Sequence, residues 1–360
     1  MKQRKKSKTQ TNTPASSDAS RTRKPLYALD VGYGYTKVIG EDRPPMSFPS
    51  LVAPTDLQAI HVGLGKQSNT VTVDHVNYIV GEQALHRGFR FSEEYDGWWT
   101  SVRYRALIQY ASQFIPPGSH VITGLPIHVF HTALAHQQVQ DVIRRGLRAS
   151  HVTLLPQGVG AFMAALQQDD RLNHSRVAVV DIGNRTTELV AFAAGDYLHH
   201  ASKGIIHGIA PLYQQLAELI RPDGHQPLDP YEVEAAYRGI RPIRLNGKSI
   251  GQEEMKAQLE SLIEPWLETL WSHMRSLWGD GAPSYDRILY CGGGAALLGS
   301  YLTQQFRNDA TISENSQLAN ALGYLTYMQW QHEKEDALSP APLAAEQRPD
   351  PVLAEPVQQA

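Results

Sequence analysis

From residue 26 to about residue 328 the chain alternates short apolar runs with longer stretches of mixed character. Leu26 to Leu29 is an apolar run that ends at Asp30, and Val121 to Leu125 is another, stopped by Pro126. Both have the length of strands. Leu134, Val142, Ile143 and Leu147 then fall near one face of a helix. Val152 to Leu155 predicts a strand, and Gly158 to Leu166 a helix of small residues. Val177 to Val180 is strongly apolar and ends at Asp181, with Glu188 to Phe192 as its hairpin partner. Met255, Leu259, Leu262, Trp266, Leu270, Met274 and Leu277 recur at helical spacing, and their Trp and Met stripe reads as core. That helix leads into a strand from Ile288 to Tyr290, closed by Gly292, Gly293 and Gly294. Strands alternating with helices predict α/β layers. No repeat of solenoid period is visible. There is a looser symmetry: two apolar strands, about half a chain apart, each end in Asp-x-Gly.

Composition sharpens this picture at the ends. Residues 1–24 hold almost no large apolar group and should form a disordered tail, with Lys2, Arg4, Lys5, Lys6 and Lys8 as a basic arm. Residues 333–360 are rich in Pro, Ala, Glu and Gln and read as a second disordered tail. The 360 residues are enough for two α/β domains with real cores. A net charge of −3 gives the body no basic character suited to wrapping nucleic acid. No stretch reaches the roughly 18 consecutive apolar residues of a membrane helix. The N-terminus lacks the apolar region of a secretory signal. Cys291 is the one cysteine, so no intrachain disulfide forms, and a cytoplasmic location fits. Of the 15 histidines only His199 and His200 are adjacent, and no Cys/His cluster has zinc spacing.

Four segments carry chemistry. In Asp30-Val31-Gly32-Tyr33-Gly34-Tyr35-Thr36-Lys37 a strand delivers a carboxylate to a tight turn. Gly32 and Gly34 let backbone N–H groups approach a phosphate, and Lys37 adds a positive charge. A hairpin turn with a solvated lysine is the bland alternative. Asp181-Ile182-Gly183-Asn184-Arg185-Thr186-Thr187-Glu188 repeats the same physics, and it is not a Walker A loop. Two such turns can clamp a polyphosphate, their carboxylates holding Mg2+ through water. Gln157, between a strand and a helix, can orient water without acting as a strong base. Gly292, Gly293 and Gly294, followed by Ala295, permit close packing of backbone on a nucleoside. Each of these signals alone competes with a structural explanation.

In this order the four segments resemble the layout of the actin, sugar kinase and DnaK-type chaperone superfamily, over roughly residues 26–328. Within it the chain resembles plasmid-segregation actins of the ParM/StbA type and relatives such as protein D of PRTRC plasmid systems. The similarity lies in Ile122-Thr123-Gly124-Leu125-Pro126, in the second turn with its acidic end, and in residues 315–324 with Ala319-Asn320-Ala321 and Gly323. The resemblance implies an actin-like α/β fold of two related domains around a nucleotide cleft. Domain I would hold 26–170 plus 313–332, and domain II 171–312. It also implies that Asp30, Gly32, Tyr33, Gly34, Tyr35, Thr36 and Lys37 form a first phosphate loop. Asp181, Gly183, Asn184, Arg185 and Thr186 would form the second, Gln157 would hold the attacking water, and Gly292, Gly293, Gly294 and Ala295 would line the adenosine. Gly204 and Gly208 would flank the nucleotide. Arg185 stands where actin has a glycine, and either turns outward or meets phosphate.

The implied activity is slow hydrolysis of ATP, with GTP left open, using Mg2+. The implied partners are other copies of the chain in a head-to-tail filament and a small DNA-binding adaptor at a centromere-like plasmid site. The basic arm, which lacks aromatics, predicts at most weak DNA contact. No membrane partner is expected. The rivals are a small-molecule kinase or phosphatase of the superfamily, for which no substrate-site carboxylate motif is visible, and an ATP-dependent adaptor that does not polymerise.

Overall fold

The two apolar runs that end in Asp-x-Gly lie at the centres of two separate sheets. The computed structural model describes residues 23–55, 69–85, 97–221, 228–240, 242–245, 247–280, 282–304 and 309–338. The basic arm and residues 339–360 lie outside them. In the first sheet the strand order is Arg43–Pro49, Tyr35–Gly40, Leu26–Val31, His120–Leu125, His151–Pro156. The first three strands are antiparallel, and the last two join in parallel. Leu26–Val31 is buried at every position, which is why it reads as a continuous apolar run and not as an alternating one. Arg43–Pro49 carries three prolines and is confined to the edge, where missing N–H donors cost no ladder bond.

The second sheet runs Asp196–Tyr197, Thr187–Ala193, Arg176–Ile182, Arg287–Cys291, Asp309–Ile312, with Lys203–Ile205 also paired to Thr187–Ala193. The plan of the first sheet is repeated: a central strand, an antiparallel hairpin partner on one side and a parallel strand on the other. The registers correspond as well. Asp30 stands opposite Lys37 in the first hairpin, and Asp181 opposite Glu188 in the second.

Helices cover the sheets. Gln252–Trp278 lays Met255, Leu259, Trp266, Leu270 and Met274 on the second sheet, as their spacing predicts. Ala133–Leu147 buries Val139, Ile143 and Leu147 beneath the first sheet. Leu134, grouped with that face by its spacing, is instead 65% exposed in the helix's first turn. Two helices cross between the sheets, Val159–Gln168 and Ala319–Leu338. Their backbones touch: a Cβ on Gly323 would stand 1.6 Å from the carbonyl oxygen of Gly160. Ala319–Leu338 puts Ala321, Tyr324 and Met328 against Leu26, Ala28 and Ile122 of the first sheet. It continues past Glu333, where the sequence predicts a tail. Val159–Gln168, expected to belong with the first half, packs Ala161 and Phe162 on Val177, Val179, Val190 and Phe192 of the second sheet.

Candidate functional site

The carboxyl ends of the two central strands open onto one cleft. This is where α/β sheets generally place ligands. In the first turn the Gly32 N–H donates to the Tyr35 carbonyl at 3.1 Å. The Ser50 hydroxyl donates to the Gly32 carbonyl at 2.7 Å and lies 2.9 Å from Thr36 Oγ1. Asp30 is buried, and its Oδ2 accepts from Lys37 Nζ at 2.9 Å. Its Oδ1 is buried without a hydrogen-bond partner.

The second turn is built alike. The Gly183 N–H donates to the Thr186 carbonyl at 2.9 Å. Asp181 is buried, and its Oδ2 accepts from Asn320 Nδ2 at 2.6 Å. Burial raises the Asp181 carboxyl above the usual range, and the charge of Asp30 adds to this. The two turns touch: a Cβ on Gly34 would lie 3.0 Å from Asn184 Cβ. Beside that contact the Arg185 guanidinium sits 5.2 Å from the centre of the Tyr33 ring. Arg185 therefore turns into the cleft, not outward.

Where Lys37 neutralises Asp30, the equivalent position of the second hairpin holds a second acid. Glu188 is 1% exposed. Its Oε2 accepts from the Ile127 N–H at 2.9 Å, while Oε1 is buried without a hydrogen-bond partner. Burial, with Asp181 opposite, pushes its carboxyl up to about 7 against the pull of the Ile127 N–H. Gln157 lines the same cleft at the end of strand His151–Pro156, and its N–H donates to the Leu125 carbonyl at 2.8 Å. The cleft is also lined by Gly292, Gly293, Glu234, Arg238 and Gln317. Arg238 bonds Glu234 at 3.1 Å and Gln317 at 2.8 Å, and lies over the Tyr35 ring. Burial pushes the Tyr35 phenol up to about 12.

The cleft thus gathers Asp30, Gly32, Tyr33, Gly34, Tyr35, Lys37, Gln157, Asp181, Gly183, Asn184, Arg185, Thr186, Gly292 and Gly293. Five expected residues do not line it. Thr36 is wholly buried and pins the first turn from behind. Ala295 belongs to the second core. Gly294 is a glycine because a Cβ there would strike Ile182 and Ile209. Gly208 supports the second turn from outside, against the backbone of Asn184 and Arg185, and Gly204 abuts Glu188 and His128. Sequence reasoning missed Arg103, Glu234, Arg238 and Asn320 as site residues. Glu188 entered only as the acidic end of the second turn, although counting back along the hairpin places it opposite Asp181. Arg103 donates to the carbonyls of Ser50 and Tyr33 at 2.8 and 3.0 Å, and comes from a separate helix that no local pattern ties to the turn.

Among the described residues no group of three or more His, Cys, Asp or Glu is arranged to hold a metal ion directly. Asp30 and Asp181 face one cleft with hard oxygen donors, and Asp30 Oδ1 has no other partner. That donor set fits Mg2+ held through water, since Mg2+ keeps most of its hydration shell.

Residues 28–160 match the N-terminal domain of actin-like proteins, and residues 179–304 match the C-terminal domain of the MreB-like archaeal actin homologue. The chain belongs to the actin-like ATPase family. An archaeal actin homologue of Thermoplasma volcanium is 27% identical over 331 residues, which cover 83% of this chain and 97% of that protein. A ParM from a 15-stranded filament of Clostridium botulinum shares the fold with a TM-score of 0.69 at 20% identity, covering 85% of this actin-like chain and 99% of its own. An archaeal actin homologue crystallised with ADP does so with a TM-score of 0.66 at 20% identity, over 85% and 99% of the two chains. Among the described residues no helix is long and apolar enough to cross a membrane.

Proposed function

We propose that this actin-like protein binds and slowly hydrolyses ATP in the cleft and polymerises head-to-tail into filaments that segregate DNA in the cytoplasm. The observation that carries this reading is the convergence of the Asp30 and Asp181 turns, with Lys37 and Gln157, on one cleft. The ADP complex of one fold relative and the filament of another support it. The backbone N–H groups and Lys37 would bind the phosphates, and Gly292 and Gly293 would face the nucleoside. Asp30 and Asp181 would hold hydrated Mg2+, which offsets phosphate charge when bound. Gln157 would hold water in line with the terminal phosphorus. A repeated head-to-tail contact does not close on itself and so gives filaments. The DNA cargo would be a plasmid, engaged through a small DNA-binding adaptor.

The test is melting temperature and pelleting across protein concentration with ATP, ADP and a non-hydrolysable ATP analogue. Mg2+ with ATP should raise the melting temperature by ligand linkage and drive assembly above a critical concentration. No stabilisation at millimolar ATP would sink the nucleotide reading. A monomer at high concentration in all three states would sink the filament.

A further inference from the structure

Three cationic residues line the cleft among the described residues: Lys37, Arg185 and Arg238. Lys37 is held by Asp30 at 2.9 Å, and Arg238, which lies over the Tyr35 ring, by Glu234 at 3.1 Å. Arg185 sits on the second turn and reaches across to the first, its guanidinium 5.2 Å from the Tyr33 ring centre. Its neighbour Asn184 abuts Gly34, so the two turns are in contact where the side chain crosses. His128 stands on the short helix that follows Pro126. Burial, and after it the charge of Arg185, hold that imidazole below its usual range, so the guanidinium is within electrostatic reach of this helix. The strand end just before it anchors Gln157, whose N–H donates to the Leu125 carbonyl. Arg185 therefore lines the same cleft as the first turn and Gln157.

We propose that Arg185 is a catalytic residue that donates to the phosphoryl group in flight, an arginine supplied by the chain to its own reaction. The proposal rests on the ATPase reading above. In that reaction water oxygen forms a bond to the γ-phosphorus. The bond from that phosphorus to the β,γ-bridging oxygen breaks, and its electron pair leaves with ADP. The water gives up one proton to solvent, leaving hydrogen phosphate. Negative charge spreads over the equatorial oxygens on the way. A planar guanidinium presents two parallel N–H donors to two such oxygens, which a lysine ammonium cannot.

The experiment compares wild type, Arg185→Ala and Arg185→Lys for ATP turnover and KM. It adds the affinity for ADP with aluminium fluoride, a mimic of the transferring group, relative to ADP alone. Arg185→Ala should lower kcat about 10²-fold or more, with KM changed by a few-fold. The tighter binding of ADP–aluminium fluoride over ADP should fall by a similar factor. Added guanidinium at concentrations that leave the wild type folded should restore part of kcat to Arg185→Ala, and ammonium should not. Arg185→Lys, which keeps charge and bulk, should fold and still lose most of the rate. A wild type without ATP hydrolysis defeats the underlying ATPase reading. A wild type that hydrolyses ATP, with Arg185→Lys and Arg185→Ala within a few-fold of it, defeats this proposal alone. Loss of kcat with unchanged aluminium fluoride discrimination and no guanidinium rescue also overturns it, by assigning Arg185 a structural role.

Discussion

Glu188→Gln probes the sharpest asymmetry between the two hairpins. The position opposite the strand-end aspartate is a lysine in the first and a glutamate in the second. Like charges directly opposite on neighbouring strands are destabilising, and this pair is also buried. The carboxyl moves from its ordinary 4.5 to about 7 in the folded protein. A tenfold change in proton affinity corresponds to about 1.4 kcal/mol, so holding Glu188 ionised costs roughly 3 kcal/mol of stability. The folded pKa lies above the unfolded one. The folded protein therefore binds the extra proton between about pH 4.5 and 7, stability falls as pH rises through that window, and the cost is complete above it. Glutamine keeps the acceptor for the Ile127 N–H and has no charge to bury.

The assay is urea unfolding of wild type and Glu188→Gln from pH 5 to 8, without nucleotide or divalent metal. Other carboxylates titrate in the same range, so the quantity to read is the difference between the two proteins at each pH. The variant should gain on the wild type by about 2–3 kcal/mol between pH 5 and pH 8. A difference that stays flat across that range would refute the reasoning and put the Glu188 proton elsewhere.

Two further perturbations follow from the same geometry. Gln157→Ala should leave nucleotide affinity nearly intact and cut turnover by about one to three orders of magnitude, checked by steady-state kinetics beside equilibrium titration, and its filaments should outlast those of the wild type. Gly323→Ala places a methyl 1.6 Å from the Gly160 carbonyl oxygen, so the crossing helices must part; a loss of several kcal/mol in urea unfolding is expected, far beyond an ordinary surface change.

The strand ends were legible because the physics there is local. A strand buried on both faces must be apolar throughout, and a carboxylate at its end followed by glycine marks where the chain turns toward a ligand. What could not be read depends on partners distant in the chain. The run Gly292, Gly293 and Gly294 looks like one feature, yet each glycine has its own cause. Gly292 has φ +85 and lies against the Ile182 carbonyl and Asp181; Gly293 has open space before it; Gly294 packs on Ile182 and Ile209. Of the three expected to line a nucleoside, only the first two face the cleft. Gly323 entered only as part of a segment that resembles the family's, and neither it nor Gly160 showed in the sequence that the two helices meet there. Glu234 lies on the helix Pro230–Tyr237 and Arg238 caps its end, and only the fold lays Arg238 over the Tyr35 ring of the first turn.

Asn320 shows how that long-range packing reaches the chemistry. It follows Ala319 at the start of the final helix, where an amide in an apolar setting needs every hydrogen bond it can make. Its Oδ1 accepts from the N–H of Gly158 at 2.9 Å and of Ala161 at 3.3 Å, at the start of the helix that follows Gln157. Its Nδ2 donates to Asp181 Oδ2 at 2.6 Å. One side chain on the helix of the first sheet thus fixes two things at once: the helix start beside Gln157 and the carboxylate of the second turn. The glycine contact between the crossing helices is what brings the amide close enough to do so, because Gly160 itself lies 2.4 Å from the Asn320 carbonyl when given a Cβ. A rotation of one sheet about this crossing would have to strain or break those three bonds. The positions of Gln157 and Asp181 are therefore set by the same contact that sets the angle between the two halves, so any ligand that favours one angle also favours one arrangement of the two residues.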